Sequence, residues 1–152
     1  MAMQVTGEKP ASDTRILVVD DDPQNVELLE AYLVGAGYQV LRALDGASAL
    51  QRVADGKPDL VLLDIMMPDI SGYEVCRRMK KDPKTARIPI LMVTALGAMK
   101  DIEKGIEAGT DDFLTKPVNR LELLARVRSL LRVGHLQSEL DRTLAYLREL
   151  EK

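Results

Sequence analysis

The sequence predicts an α/β domain, an open parallel sheet with helices on both faces. Three observations carry this. Apolar runs rich in Val, Leu and Ile recur at Ile16-Leu17-Val18-Val19, Leu60-Val61-Leu62-Leu63 and Ile88 to Val93, with a shorter one at Phe113-Leu114. Runs that are apolar at every position read as strands buried on both faces. Segments of helical spacing separate them, the alternation that marks βαβ units and a parallel sheet. The runs also end on reactive polar residues, in chain order Asp20-Asp21-Asp22, Asp64, Thr94 and Thr115-Lys116-Pro117. The carboxyl edge of a parallel sheet is where open α/β folds place their ligands.

Taken in order, Met1 to Ser12 is polar and has no apolar signal core, so residues 1–13 are expected to be a disordered leader. Asp22 suits a helix N-cap and Pro23 its first turn. Val26, Leu29 and Leu33 share one face of that helix, and Gly35 and Gly37 end it. Tyr38 to Ala43 reads as an outer strand. Gly46 to Ala54 reads as a short helix closed by Asp55-Gly56-Lys57-Pro58. After Asp64, the loop Met67 to Gly72 leads into a helix from Tyr73 to about Lys80, broken by Asp82-Pro83-Lys84. Gly97 precedes a weaker helix, Met99 to Ala108, which Gly109 ends. Strand and helix thus alternate five times. Right-handed crossovers then put helices on both faces of one domain, residues 14–132.

The last helix is expected to outrun that domain. Asn119 with Glu122 three residues on resembles a capping box, and Leu123, Val127, Leu130 and Leu131 form a stripe. Val133, Leu136, Leu140, Thr143, Leu147 and Leu150 then continue it in steps of three and four. Residues 133–152 are therefore expected to be a helical extension, either a coiled coil or a connector. With Val133, Leu140 and Leu147 at a and Leu136, Thr143 and Leu150 at d, it offers a seam for a parallel homodimer. Gly134 is its weak point.

Composition narrows the function. At 152 residues the chain suits one domain, and a net charge of −3 with pI about 5.3 argues against nucleic-acid binding. No apolar run approaches the roughly 20 residues that span a bilayer, so no membrane contact and a cytoplasmic location are expected. The single cysteine, Cys76, reads as a small buried apolar residue. The single histidine, His135, reads as a solvated residue on a polar helix face, which leaves any phosphodonor histidine to another protein.

A phosphoryl group brought to Asp64 would add negative charge to a site already rich in carboxylates, which requires a hard cation. Mg²⁺ prefers oxygen ligands, and Asp20, Asp21 and Asp64 supply them. Lys116 can neutralise a phosphoryl oxygen, and the Thr94 hydroxyl can donate to another. Phosphoryl transfer depends on positioning and charge stabilisation, so this set suffices. Singly, each residue reads more simply, Asp22 as a cap and Thr94 as an ordinary strand residue. Their succession at the strand ends of one alternating fold is what carries weight.

The motifs Val18-Val19-Asp20-Asp21, Leu62-Leu63-Asp64-Ile65-Met66-Met67-Pro68, Val93-Thr94-Ala95 and Phe113-Leu114-Thr115-Lys116-Pro117 resemble the receiver domain of two-component response regulators, from Arg15 to about Leu131. The resemblance implies a flavodoxin-like sheet of five strands ordered 2-1-3-4-5. It implies phosphorylation of Asp64 by a sensor histidine kinase or phosphotransfer protein. Mg²⁺ would be held by Asp21, Asp64 and the Met66 carbonyl, with Asp20 helping through water. Thr94 and Lys116 would contact the phosphoryl group, the Lys116-Pro117 bond would be cis, and Thr94 and Phe113 would act as the switch. Phe113 lacks a hydroxyl, so its switching would rest on packing. Met66 and Leu96 are apolar where many chemotaxis-type relatives are polar, which implies slow loss of phosphate.

The expectation is thus a signalling phosphoacceptor, not an enzyme beyond its own phosphorylation and dephosphorylation, acting on a downstream effector protein or domain. One alternative is a receiver cut from a longer regulator such as a diguanylate cyclase. An aspartate-nucleophile phosphatase would need a second acid where Met66 stands. A flavin or nucleotide carrier would need a Gly-rich turn after the first strand, where this chain is acidic.

Overall fold

The computed structural model describes residues 9–95 and 99–151. Five strands, β1 (Arg15–Val19), β2 (Gln39–Ala43), β3 (Leu60–Asp64), β4 (Ile90–Thr94) and β5 (Asp112–Thr115), alternate with five helices. These are α1 (Pro23–Gly35), α2 (Gly46–Gly56), α3 (Gly72–Lys81), α4 (Met99–Ala108) and α5 (Arg120–Leu150). The sheet is parallel throughout, in the order β2-β1-β3-β4-β5. This is the expected doubly wound α/β architecture.

Alternation along the strands divides the core into two layers. Leu17, Val19, Val61, Leu63, Ile90 and Met92 meet Ala49, Val53, Val75 and Met79 on one face. Ile16, Val18, Leu60, Leu62, Leu91 and Val93 meet Val26, Leu29, Leu33, Leu123 and Val127 on the other. Both faces of β1, β3 and β4 are therefore sealed, which explains why these strands read as continuous apolar runs.

Local chemistry fixes the ends. The Asp22 side chain accepts from Gln24 N at 2.9 Å, with Pro23 opening α1. Gly37 adopts φ 96° just beyond α1, a left-handed geometry that glycine takes without penalty. The C-cap of α2 is Lys57 at φ 45°, not Gly56. Gly56 serves a different need, since a Cβ there would meet the Leu41 side chain at 2.5 Å. The first strand residue of β4 is Ile90 rather than Ile88, because Pro89 cannot donate to a ladder.

Two expectations are corrected, one for residues 11–13 of the leader, whose residues 1–8 lie outside the described residues, and one for His135. Ala11–Asp13 form a 3-10 turn rather than disordered chain, and the Ser12 carbonyl accepts from the Gln39 side chain at 2.5 Å. Thr14 donates to the Pro10 carbonyl at 3.0 Å, which closes the turn against the sheet. In the distal half of α5, Asp141 ion-pairs with Arg87. His135 is not solvated. Its side chain is 18% exposed and lies 3.3 Å from Glu139, because α5 carries it across the base of the sheet. Gly134 does not interrupt α5, which is a single helix from Arg120 to Leu150. Val133, Leu136, Leu140, Leu147 and Leu150 are exposed.

Candidate functional site at the carboxyl edge of the sheet

Parallel register brings the strand ends level. Asp64 pairs with Val93 across β3 and β4, and Thr94 pairs with Thr115 across β4 and β5. Lys116 follows at once, and its backbone N–H donates to the Thr94 carbonyl at 2.8 Å. Asp20 follows β1, its own N–H donating to the Ala43 carbonyl at 3.2 Å. Four separate segments therefore converge on one edge.

The carboxylates of Asp20, Asp21 and Asp64 have oxygens within 4.8 Å of one another, close enough to share one cation. Asp20 and Asp64 are buried at 1% and 5% exposure, whereas Asp21 is exposed. Burial, and next the charge of Asp20, push the Asp64 carboxyl above the usual carboxylate range, while Lys116 and a backbone hydrogen bond from Met66 oppose the shift. Lys116 Nζ donates to Asp20 Oδ2 at 3.0 Å and stands 3.6 Å from Asp64 Oδ1. Burial alone would lower the ammonium, but the hydrogen bond to Asp20 and the charge of Asp64 outweigh it and hold Lys116 above its ordinary value. The remaining Asp20 oxygen accepts from Asp22 N at 2.9 Å. Two buried carboxylates facing one ammonium leave a surplus of negative charge. A divalent cation at this donor set would complete it, since hard cations favour carboxylate oxygens.

The rest of the edge holds these groups in place. Thr94 is buried at 2% exposure. The Lys116-Pro117 peptide is cis. Met66 projects its side chain outward at 63% exposure, and Leu96 lies outside the described residues. Phe113 lies partly buried, its ring packed against α4 where a Cβ on Gly105 would meet Cζ at 2.3 Å. Two positioning residues were not singled out in the sequence. Asp69 accepts from Gly46 N and Ala47 N, each at 2.9 Å, and so ties the loop after Asp64 to the start of α2. Gly72 donates its N–H to the Ile65 carbonyl at 2.8 Å, which draws α3 onto the end of β3. An Asp and a Gly in a six-residue loop are ordinary turn residues, so the sequence carried no signal for either role. Cys76 is buried, its Sγ 3.4 Å from the Ala108 carbonyl, and burial pushes the thiol up to about 11, which keeps it protonated and inert.

Comparison with known proteins agrees with this geometry. A family model described as the response regulator receiver domain matches residues 16–128. Response regulator PleD of Caulobacter vibrioides is 52% identical over 118 residues, covering 78% of this chain and 26% of PleD. Among solved structures, a response regulator from Chloroflexus aurantiacus is 43% identical with TM-score 0.76, covering 78% of this chain and 98% of that one. The receiver domain of sensor histidine kinase PA1611 from Pseudomonas aeruginosa, described with a magnesium ion coordinated in the active-site cleft, is 32% identical with TM-score 0.73. It covers 78% of this chain and 97% of that one. The chain spans about half or less of the curated relatives it matches. The converging strand ends, the five-stranded order and these matches together show that the chain belongs to the receiver domain family of two-component response regulators.

Proposed function

We propose that Asp64 is the phosphoacceptor of a Mg²⁺-dependent phosphoryl transfer. The observation that carries this is the buried Asp64 carboxylate, raised above its ordinary range, with Asp20 and Asp21 within reach of a shared cation and Lys116 Nζ 3.6 Å from Asp64 Oδ1. An oxygen of Asp64 attacks phosphorus, the bond from phosphorus to the donor histidine nitrogen breaks, and a mixed carboxylic-phosphoric anhydride forms. Bound Mg²⁺ would supply positive charge against the phosphoryl oxygens, held by Asp20, Asp21, Asp64 and the Met66 carbonyl. Lys116 releases its contact with Asp64 and meets a phosphoryl oxygen, and the Thr94 hydroxyl donates to another. The donor is a phosphohistidine on a sensor kinase or phosphotransfer protein, in whichever compartment that partner works. The chain acts as a signalling acceptor and carries out only its own phosphorylation and dephosphorylation.

Output runs through Thr94 and Phe113. Movement of the Thr94 hydroxyl toward the phosphoryl group frees space behind β4, and the Phe113 ring moves inward against α4 in response. The face formed by α4, β5 and α5 then changes shape for an effector protein, an effector domain joined beyond α5 (as in a diguanylate cyclase), or a second copy. The exposed stripe Val133, Leu136, Leu140, Leu147 and Leu150 supports a parallel homodimer along α5.

The test is incubation with acetyl phosphate and Mg²⁺, read by intact-mass spectrometry. The wild type gains one phosphoryl group and Asp64→Asn gains none. Stoichiometric phosphorylation of Asp64→Asn would overturn the assignment.

A further inference from the structure

The helix that follows Thr94 is loosely seated. Among the described residues, α4 buries Gly105 and Ala108, so it sinks no side chain larger than a methyl group into the core. Its large apolar residues Met99 and Ile106 are exposed. Each of the other four helices buries at least one Val or Leu. Stabilisation by apolar burial scales with the area removed from water, so α4 draws little of its hold on the domain from that source.

A pair of side-chain hydrogen bonds from α3 holds it instead. The Tyr73 hydroxyl donates to the Asp101 carbonyl in the first turn of α4, at 3.1 Å. The Cys76 thiol donates to the Ala108 carbonyl in the last turn, at 3.4 Å, an oxygen to which the helix itself offers no partner. Tyr73 and Cys76 stand one turn apart on α3, so a single face of α3 grips both ends of α4. Burial raises the Tyr73 hydroxyl above its ordinary range, and the charge of Asp101 adds to this, so it remains a donor. Gly105 completes the seat. A Cβ there would meet Phe113 Cζ at 2.3 Å and Cε1 at 2.6 Å, so the helix rests on the ring through bare backbone.

The grip also joins two strands of the site. Gly72, next to Tyr73, donates its N–H to the carbonyl of Ile65, next to Asp64. The start of α3 is thereby fixed to the phosphoacceptor strand, whereas α4 follows the strand that ends in Thr94. A shift of Thr94 toward a phosphoryl group pulls on the start of α4 and lengthens the Tyr73 bond.

We propose that Tyr73 is a positioning residue for the phosphoryl-transfer site. Together with Cys76 it latches α4 in the resting arrangement, and release of the latch favours phosphorylation of Asp64. The latch stands on its own geometry, and its effect on Asp64 rests on the function proposed above.

Cys76 is the single cysteine of the chain and is fully buried, so its reaction with dithionitrobenzoate reports the opening of α4 over it. Tyr73→Phe keeps the ring and removes the bond. Labelling of the unphosphorylated chain should then speed up about fivefold, which is the net worth of one hydrogen bond. Phosphorylation by acetyl phosphate with Mg²⁺, followed by intact mass, should also speed up, by up to about fivefold as the competent fraction grows. General damage to the fold would slow that step, so a gain separates a latch from a merely structural role. Tyr146→Phe, on the exposed distal half of α5, should change neither rate. Hydrogen exchange supplies a second measurement, in which Tyr73→Phe should speed exchange in α4 and leave β3 unchanged. Labelling unchanged in Tyr73→Phe, exchange raised equally in α4 and β3, or phosphorylation unchanged or slower would each overturn the proposal. A wild type that takes up no phosphoryl group would refute the proposed function and with it the effect on Asp64, while labelling and exchange would still decide the latch.

Discussion

Replacing Gly72 by Ala should damage the site without touching any charged group. A Cβ at Gly72 would lie 2.2 Å from the Asp64 carbonyl oxygen, 2.8 Å from Ile65 Cα and 3.0 Å from the Asp64 carbonyl carbon. Non-bonded atoms rest near 3.5 Å, so α3 would have to retreat by about 1 Å. All three obstacles are backbone, so no rotamer change relieves them. The retreat also stretches the 2.8 Å hydrogen bond from Gly72 N to the Ile65 carbonyl. Overpacking costs about 1–3 kcal/mol, and a clash of backbone with backbone belongs at the upper end, about 3 kcal/mol. For a domain of this size that lowers the thermal midpoint by about 6–12 °C. Differential scanning calorimetry measures the loss, and urea denaturation should show a lower midpoint with an unchanged slope. Gly35→Ala is the matched control. No atom lies within 4 Å of its added Cβ, so the substitution should stabilise α1 by about 0.5–1 kcal/mol. A Gly72→Ala midpoint within about 2 °C of wild type would show that α3 does not bear on β3 as argued.

Further outcomes are expected. Asp21→Ala should weaken Mg²⁺ binding at least about tenfold by calorimetry, because a hard cation loses one of three clustered carboxylates. Unchanged affinity would place the metal elsewhere. The Asp69 carboxyl is lowered from 3.8 to about 2 by the hydrogen bonds from Gly46 and Ala47. A group depressed in the folded state contributes its full stability above its unfolded value and loses it as pH falls through the folded one. Wild type should therefore lose stability relative to Asp69→Asn between about pH 4 and pH 2, and urea midpoints that run parallel through this window would refute the link. Truncation at Val133 should weaken self-association by light scattering, whereas an equally dimeric truncation would move the interface to the globular part.

Much of this molecule was legible in the sequence, and the reasons are local. Strands sealed on both faces must be apolar at each position, so β1, β3 and β4 announced themselves. Asp22-Pro23 and Asn119 are short-range caps, and the structure shows both side chains capping their helices. A polar residue at each strand end is also a local fact, and parallel pairing needs only strand order to align them. The tertiary structure decided what depends on approach between distant segments. Gly72 looks like any turn glycine until α3 meets the Asp64 carbonyl. Asp69 looks like a loop residue until its carboxylate reaches Gly46 and Ala47. His135 follows a polar pattern along its own helix, yet is half-buried because that helix crosses the base of the sheet. Sequence patterns record what a residue needs from its own strand or helix, whereas contacts across tens of residues exist only once loop closure has brought the segments together.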